Sequence, residues 1–438
     1  MSRLAFLLCT LFLSAGASAQ LRLPGLNLPQ GLGALDNLRR PAERLVDRID
    51  VPDLRTLRLD QAGQLLRRHP GLVEADPRGE PVVRGEILAW NPSAAALRAA
   101  RTAGLPVLRE ERFEELDQNL VVLGVPAGGG TAQVLERLRA LDPEGHYDFN
   151  HIYTGSGSGA GSNGGGSSNG TLPAVQAPGP AAGAGGLPRL GLVDSGVDSG
   201  HRALREAPIR PWGCGGAPHP SAHGTAVAAL MVGRDERFRG AAPGAALYAA
   251  DIYCDSPTGG SADRIAQALA WLAREQVPVI NLSLVGPPNQ ALERVVAAML
   301  ARGHLLVAAV GNDGPAAPPL YPASYPGVVG VTAVDRNGQP LPEAARGAQV
   351  LFAAPGNHMV SAAPGEPPYR TVRGTSFAAP IVAGLLAPAM TRPDRARARA
   401  AVAALAREAG GGSADTVSNS LGYGIVGASL RTDPGRLR

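Results

Sequence analysis

Gly374-Thr375-Ser376-Phe377-Ala378-Ala379-Pro380 sets a serine among small residues, just ahead of the apolar run Ile381-Val382-Ala383-Gly384-Leu385-Leu386. The stretch predicts a serine at the start of a buried helix. The free backbone N–H groups and positive dipole end of such a terminus favour negative charge. An oxyanion forming beside Ser376 would be stabilised there. Pro380 is expected in the first turn, where its missing N–H costs little. An ordinary Ser/Thr helix cap has the same local composition, so the stretch acquires chemical meaning only together with three others upstream.

The first of these is Leu190-Gly191-Leu192-Val193 running into Asp194-Ser195-Gly196, which puts Asp194 at the carboxyl end of a strand. Asp198-Ser199-Gly200 repeats the tripeptide, but no strand feeds it. In the second, Ser221-Ala222-His223-Gly224-Thr225-Ala226, a histidine precedes a helix of small residues that permits close backbone approach. Histidine is the commonest general base because its pKa lies near neutrality. In the third, the apolar run Leu305 to Val310 ends in Gly311-Asn312-Asp313-Gly314, where an Asn amide can donate to a developing oxyanion. Singly, each has a plainer reading: turn formers for Asp194 and Asn312, and one histidine among eight for His223.

Around these stretches, short apolar strands (189–193, 246–252, 277–283, 305–310, 328–333) alternate with Ala-rich helices (225–232, 261–274, 290–302, 377–387). Such alternation predicts a largely parallel sheet covered on both faces, with the active site at the carboxyl ends of the strands.

Taken together, the four stretches resemble the subtilisin-like serine peptidases (subtilases): Asp-Ser-Gly-Val, His-Gly-Thr, Gly-Asn and Gly-Thr-Ser-x-Ala-x-Pro stand in that family's chain order. Gly240-Ala241-Ala242-Pro243, Ile280-Asn281-Leu282-Ser283-Leu284, Tyr321-Pro322-Ala323-Ser324-Tyr325-Pro326 and Ala353-Ala354-Pro355-Gly356 extend the likeness over about residues 188–430. The resemblance implies an α/β fold of three layers over 188–438, with a mostly parallel central sheet and helices on both faces. It implies Ser376 as nucleophile, His223 as base and Asp194 as the carboxylate that orients it. Asn312 and the Ser376 N–H would form the oxyanion hole. Ser283, Leu284, Val285, Ala309, Val310 and Gly311 would line the substrate cleft. The chain departs from the common pattern at Ala226, Phe377 and Ile381, none of which does chemistry, and at Val285, where a glycine is usual. A valine there is expected to crowd the cleft and favour small side chains. The mechanism requires no cofactor and no metal. The family often binds structural calcium, but no ligand set can be mapped here, because the acidic residues are scattered and the cysteines lack zinc spacing.

Upstream, Arg3, the apolar run Leu4 to Leu13 and Ala17-Ser18-Ala19 predict a signal peptide over 1–19; the run is too short to span a bilayer. Cys9 would leave with it, so Cys214 and Cys254 remain as a disulfide candidate in an oxidising compartment. Two separate thiols are the alternative, since sequence cannot give the geometry. Residues 20–82 carry short helical patches and no assigned domain, consistent with disorder or a spacer. Residues 83–153 read β-α-β-β-α-β, a small ferredoxin-like module; subtilases often carry a prodomain of that order, which assists folding and inhibits the enzyme. Residues 154–187 are a Gly/Ser/Ala/Pro-rich linker and an expected proteolysis site. Its formal GxGxxG at 159–164 follows no strand and carries no weight.

The expected product is thus an exported, self-processing serine endopeptidase acting on proteins or peptides, free in the periplasm or outside the cell, with its own N-terminal module as partner. No anchor or later membrane span is read. The chain contains no lysine, and its arginines are scattered rather than massed, which argues against nucleic acid as a partner. A secreted, non-catalytic binding protein that keeps the fold is the competing reading. An α/β-hydrolase esterase would need a GxSxG elbow, and Ser376 does not sit in one.

Overall fold

The computed structural model describes residues 54–155, 158–159, 187–410 and 417–436. The predicted signal peptide, residues 20–53 and most of the Gly-rich linker lie outside the described residues. All that follows concerns the unit Pro52–Arg438.

It opens with helix α1 (Leu54–Arg68) and strand β1 (Val73–Ala75). Then come β2 (Pro81–Trp90), α2 (Ala94–Thr102), β3 (Val107–Phe113), β4 (Gln118–Gly124), α3 (Thr131–Leu141) and β5 (His146–His151). The order β-α-β-β-α-β is thus present from β2 to β5, with α1 and β1 added ahead of it. Both belong to the 20–82 stretch, to which the sequence assigns nothing. β2 pairs antiparallel with β4 and β5, and β3 with β4, while β1 pairs with the start of β2 from Val73↔Val83 to Ala75↔Pro81.

Alternation along β2 and β4 explains why this sheet is apolar on both sides. Ile87, Ala89, Val121 and Leu123 pack against Ala100 of α2 and Leu135 and Leu138 of α3. Leu88, Trp90, Leu120 and Val122 face the other way and join a core that also contains residues of the C-terminal body.

After β5 the chain forms two very short strands, β6 (Thr154–Gly155) and β7 (Ser158–Gly159), before the body begins. The body continues with β8 (Arg189–Asp194), β9 (Ile209–Trp212), α4 (Ala222–Val232), β10 (Ala246–Asp251), α5 (Ala262–Arg274), β11 (Val279–Leu282), β12 (Leu284–Val285) and α6 (Gln290–Ala301). β13 (Leu305–Ala309), β14 (Val329–Val334), β15 (Val350–Pro355), β16 (Met359–Ala362), β17 (Tyr369–Arg373), α7 (Thr375–Leu386) and α8 (Arg395–Glu408) complete it.

Seven strands form one sheet in the order β15-β14-β13-β11-β8-β10-β9, every pair parallel. Period-2 alternation again sorts the side chains into two cores. Leu190, Leu192, Val279, Leu305 and Val307 meet α4 and α7 on one face. Val193, Ile280, Leu282, Leu306 and Ala308 meet α5 and α6 on the other. The result is the mostly parallel three-layer α/β fold expected from sequence, with the N-terminal sheet laid over α5 and α6. Strands after β8 fill the sheet on both of its sides, so the chain reverses its direction of growth at β8. A crevice opens at the carboxyl ends there, and Asp194 is the last residue of β8.

Candidate active site

Asp194 is buried, and one oxygen of its carboxylate, Oδ1, accepts from Ser195 N at 2.7 Å, from Ser195 Oγ at 3.0 Å and from His223 Nδ1 at 2.8 Å. An ionised carboxylate only accepts, so the proton of the imidazole sits on Nδ1 and Nε2 is left as the acceptor. Burial pulls the His223 pKa down, but the charge of Asp194 and its hydrogen bond outweigh this and hold it above the ordinary 6.5. His223 lies in the first turn of α4, capped by Ser221. The next residue must be glycine, since a Cβ on Gly224 would stand 2.1 Å from the Ser195 carbonyl oxygen. The helix thus meets the Asp194 loop backbone to backbone.

Ser376 is the second residue of α7 and fully buried. The turn from β17 into this helix needs Gly374, whose φ of 129° suits glycine. Pro380 is not in the first turn, as the sequence suggests, but in the sixth position of the helix. There it deletes the N–H that would bond the Ser376 carbonyl. A side chain makes good the loss: Ser283 Oγ donates to Ser376 O at 2.9 Å and itself accepts from Asn281 Nδ2 at 2.8 Å. In return the Ser376 hydroxyl donates to the Ser283 carbonyl at 3.2 Å. Phe377 packs against the His223 imidazole, the ring centroids 5.3 Å apart.

Asn312 follows the end of β13. Its Oδ1 accepts from Thr375 N at 3.2 Å, while Thr375 Oγ1 accepts from Gly311 N at 3.2 Å. These two bonds fasten the Asn312 loop to the helix start and turn the side-chain NH₂ away from Thr375. The three stretches therefore converge with the fourth at the carboxyl ends of β8 and β13 and the N-terminus of α7.

The cleft between these groups holds the chain's own backbone. β6 pairs antiparallel with β12, Thr154↔Val285 and Gly155↔Leu284. β7 pairs antiparallel with β17, Gly159↔Val372 and Ser158↔Arg373. The Gly-rich tract thus does not begin as a free spacer at 154, because backbone pairing with strands of the cleft orders residues whose composition alone predicts none. A Cβ built on Gly155 would sit 3.5 Å from His223 Nε2. Just ahead of β6, Tyr153 is wholly buried, its N–H donating to Gly260 O at 2.8 Å and its hydroxyl to Pro287 O at 2.8 Å. Of the residues expected to line the cleft, Leu284 and Val285 form this pairing and Ser283 supports Ser376. Ala309 and Val310 are buried.

The N-terminal module grips the body through a partly buried polar set. Arg109 bonds Glu86 and Asp263 at 2.7 and 2.8 Å, and Asn150 Nδ2 bonds Asp263 at 3.0 Å. Asp148 accepts from the Gln290 N–H at the start of α6 at 2.8 Å, a favourable place for a carboxylate. Cys214 and Cys254 are joined as a disulfide, Cα–Cα 5.2 Å, behind Asp194. Among the described residues they and Asp251 are the one cluster with metal-ligand spacing, and two of its three members are therefore engaged with each other. No described helix is long and apolar enough to cross a membrane.

Asp194, His223 and Ser376 near the carboxyl edge of a parallel sheet make a candidate hydrolytic site, and the comparisons specify the family. The profile of the subtilase family matches residues 188–424, and the chain belongs to that family. Subtilisin Savinase of Lederbergia lenta is 37% identical over 221 residues, 49% of this chain and 80% of that protein. Subtilisin E of Bacillus subtilis (strain 168) is 34% identical over 208 residues, 45% of this chain and 54% of that protein. The chain thus spans about half the length of relatives such as subtilisin E. Fervidolysin from Fervidobacterium pennivorans, a keratinolytic enzyme related to subtilisin, shares the fold with a TM-score of 0.64 at 20% identity, over 82% of this chain and 62% of that one.

Proposed function

We propose that this protein is an exported serine endopeptidase, made as a zymogen that cuts its own chain. Ser376 Oγ attacks a peptide carbonyl and His223 Nε2 takes its proton. The oxyanion is held by the Asn312 amide and the Ser376 N–H at the start of α7. Nε2–H then protonates the leaving nitrogen, giving an acyl-enzyme and a free amine. A water, deprotonated by the same Nε2, hydrolyses the ester. Asp194 keeps Nδ1 protonated and stabilises the imidazolium. His223 Nε2 is buried without a hydrogen-bond partner, which suits an atom reserved for a transient proton.

One observation carries the zymogen: the same backbone that follows the N-terminal module pairs with the cleft on both sides of Ser376, at 154–155 and again at 158–159. The bond offered to Ser376 therefore lies between Gly155 and Ser158. Gly155 pairs with Leu284, the neighbour of Ser283, whose carbonyl is 3.2 Å from Ser376 Oγ. The disulfide and the N-terminal signal both favour an oxidising, exported setting.

Intact mass of the secreted chain tests this. Wild type should be cut between Gly155 and Ser158, and Ser376→Ala should stay whole. If both stay whole and wild type also ignores a fluorophosphonate probe, the protein is a non-catalytic binder. Identical cutting of both would assign maturation to a host protease.

A further inference from the structure

Glu343 lies in the segment between β14 and β15 and is buried. Its backbone and its side chain hold two different parts of the site. The Glu343 carbonyl accepts from Gly314 N at 2.8 Å, and two residues on Ala345 N donates to Gly311 O at 3.0 Å. These two bonds clasp the Asn312 loop at both ends. The Glu343 carboxylate turns instead to β17. Its Oε1 accepts from Arg373 Nε at 2.7 Å and its Oε2 from Arg373 Nη2 at 3.0 Å. Arg373 Nη1 donates to Asn357 Oδ1 at 2.5 Å. The guanidinium is thus held on two sides by a planar fork that lysine cannot reproduce.

Arg373 is the last residue of β17, shortly before Ser376. Its backbone stands opposite Ser158 in the pairing of β7 with β17, on the leaving side of the proposed cut. One ion pair therefore joins the loop that carries the Asn312 amide to the strand that receives the leaving side of a bound chain. The pair is shielded from solvent, the side chains of Arg373 and Glu343 being 15% and 6% exposed. Asp313 of the same loop is also held by Arg58 Nε at 2.6 Å, but Arg58 lies upstream of the proposed cut. Glu343 and Arg373 both lie downstream and stay together in the mature enzyme.

We propose that Glu343 and Arg373 are positioning residues that couple the leaving side of the substrate to the oxyanion donor. A chain that pairs with β17 beyond the scissile bond fixes that strand, and the ion pair passes the constraint to the Asn312 loop. The proposal rests on the peptidase reading above and deepens it. Neither side chain is asked to touch the reacting atoms. Contacts remote from the scissile bond are then expressed in turnover rather than in affinity, since misplacing a catalytic group by about 1 Å can cost about 10²-fold.

The test uses the self-processed enzyme and two substrates with the same residues before the scissile bond. One is a peptide anilide, which has no residue beyond that bond; the other is an internally quenched peptide that continues for several residues. Active enzyme is counted by titration with a fluorophosphonate, so that unfolded protein does not enter the rates. Glu343→Gln should lower kcat/KM for the extended peptide by about tenfold more than for the anilide, mostly through kcat. Arg373→Lys should do the same, because a point charge cannot bridge Glu343 and Asn357 in one plane. Glu343→Leu combined with Arg373→Met removes both charges at similar volume and avoids the unpaired buried charge that a single change leaves. It too should lose the extended peptide selectively, and it decides the matter if the single variants do not fold. A pair that serves stability alone would lower both substrates alike or neither, and either result overturns the proposal. Absence of any cleavage and of probe labelling in wild type would instead remove the peptidase reading, and this inference with it.

Discussion

The carbonyl oxygen of Ser376 accepts a 2.9 Å hydrogen bond from Ser283 Oγ at the position where Pro380 removes the helix's own donor. The bond ties the nucleophile's backbone to β12, the strand that pairs with the bound chain. Ser283→Ala leaves a buried carbonyl unsatisfied, which costs about 1–3 kcal/mol. Denaturant unfolding should show that loss, with kcat/KM reduced as well because Ser376 is no longer held. Restoring a helical donor with Pro380→Ala in the Ser283→Ala background should recover part of the stability; no recovery would mean that the carbonyl is not the group at stake.

In the proposed mechanism Asp194 acts through His223. Asp194→Asn keeps the shape but lets the side chain donate to Nδ1, favouring the wrong tautomer, and should lower kcat by about 10⁴. The pH profile supplies a second readout. A base must be neutral, so wild-type activity should fall as pH drops through the His223 pKa, which lies above 6.5. Without the carboxylate the burial of the ring acts alone, and the acid limb should move to lower pH. An unshifted limb in Asp194→Asn would show that another group governs it.

Much of this site is legible in the sequence because each piece is local. A strand feeding Asp194, a small-residue helix after His223 and a glycine turn at Asn312 are all fixed within ten residues of the group concerned. What escapes is tertiary. The pairing of Thr154–Gly155 with Leu284–Val285 has no trace in a Gly/Ser composition, because its bonds are made by backbone atoms to a distant strand. Arg58 sits in a stretch of scattered Leu and Arg whose role depends on Asp313, 255 residues away. Pro380 misleads for a related reason: a proline inside a helix is tolerated when a remote hydroxyl replaces the lost donor.

In the proposed mechanism Asn312 supplies one of two donors to the oxyanion. Asn312→Ala should reduce kcat by about 10²–10³ with little change in KM, since the interaction strengthens only as charge develops. Because Asn312 Oδ1 also anchors Thr375 N, Asn312→Asp is the sharper control. It can retain that acceptor but places negative charge where the oxyanion forms, and should be at least as damaging. If Asn312→Asp were the more active of the two, the oxyanion role would be wrong.

Val285 pairs with Thr154 and is buried. Val285→Gly removes side-chain volume from the cleft wall and should broaden acceptance of bulky residues opposite it in a peptide-library profile, at some cost in stability because an interior strand glycine is disfavoured. A profile identical to wild type would remove Val285 from the determinants of specificity.

His304 reports on stability rather than catalysis. It precedes β13, is buried, and donates Nδ1–H to the Val277 carbonyl at 2.7 Å. Burial, helped by the nearby charge of Arg302 and opposed by the Val277 bond, lowers its pKa from 6.5 to about 4. The unfolded chain then binds the proton more readily than the native one. Stability from this group is fully present above pH 6.5, declines as pH falls toward 4, and levels off below. The difference between 6.5 and about 4 corresponds to about 3 kcal/mol. His304→Asn keeps a donor for Val277 but cannot titrate. Unfolding free energies measured between pH 7 and 4 on the Ser376→Ala chain, which avoids self-digestion, should fall less steeply by about that amount when His304→Asn is added. Parallel curves for the two proteins would show that the acid sensitivity arises elsewhere.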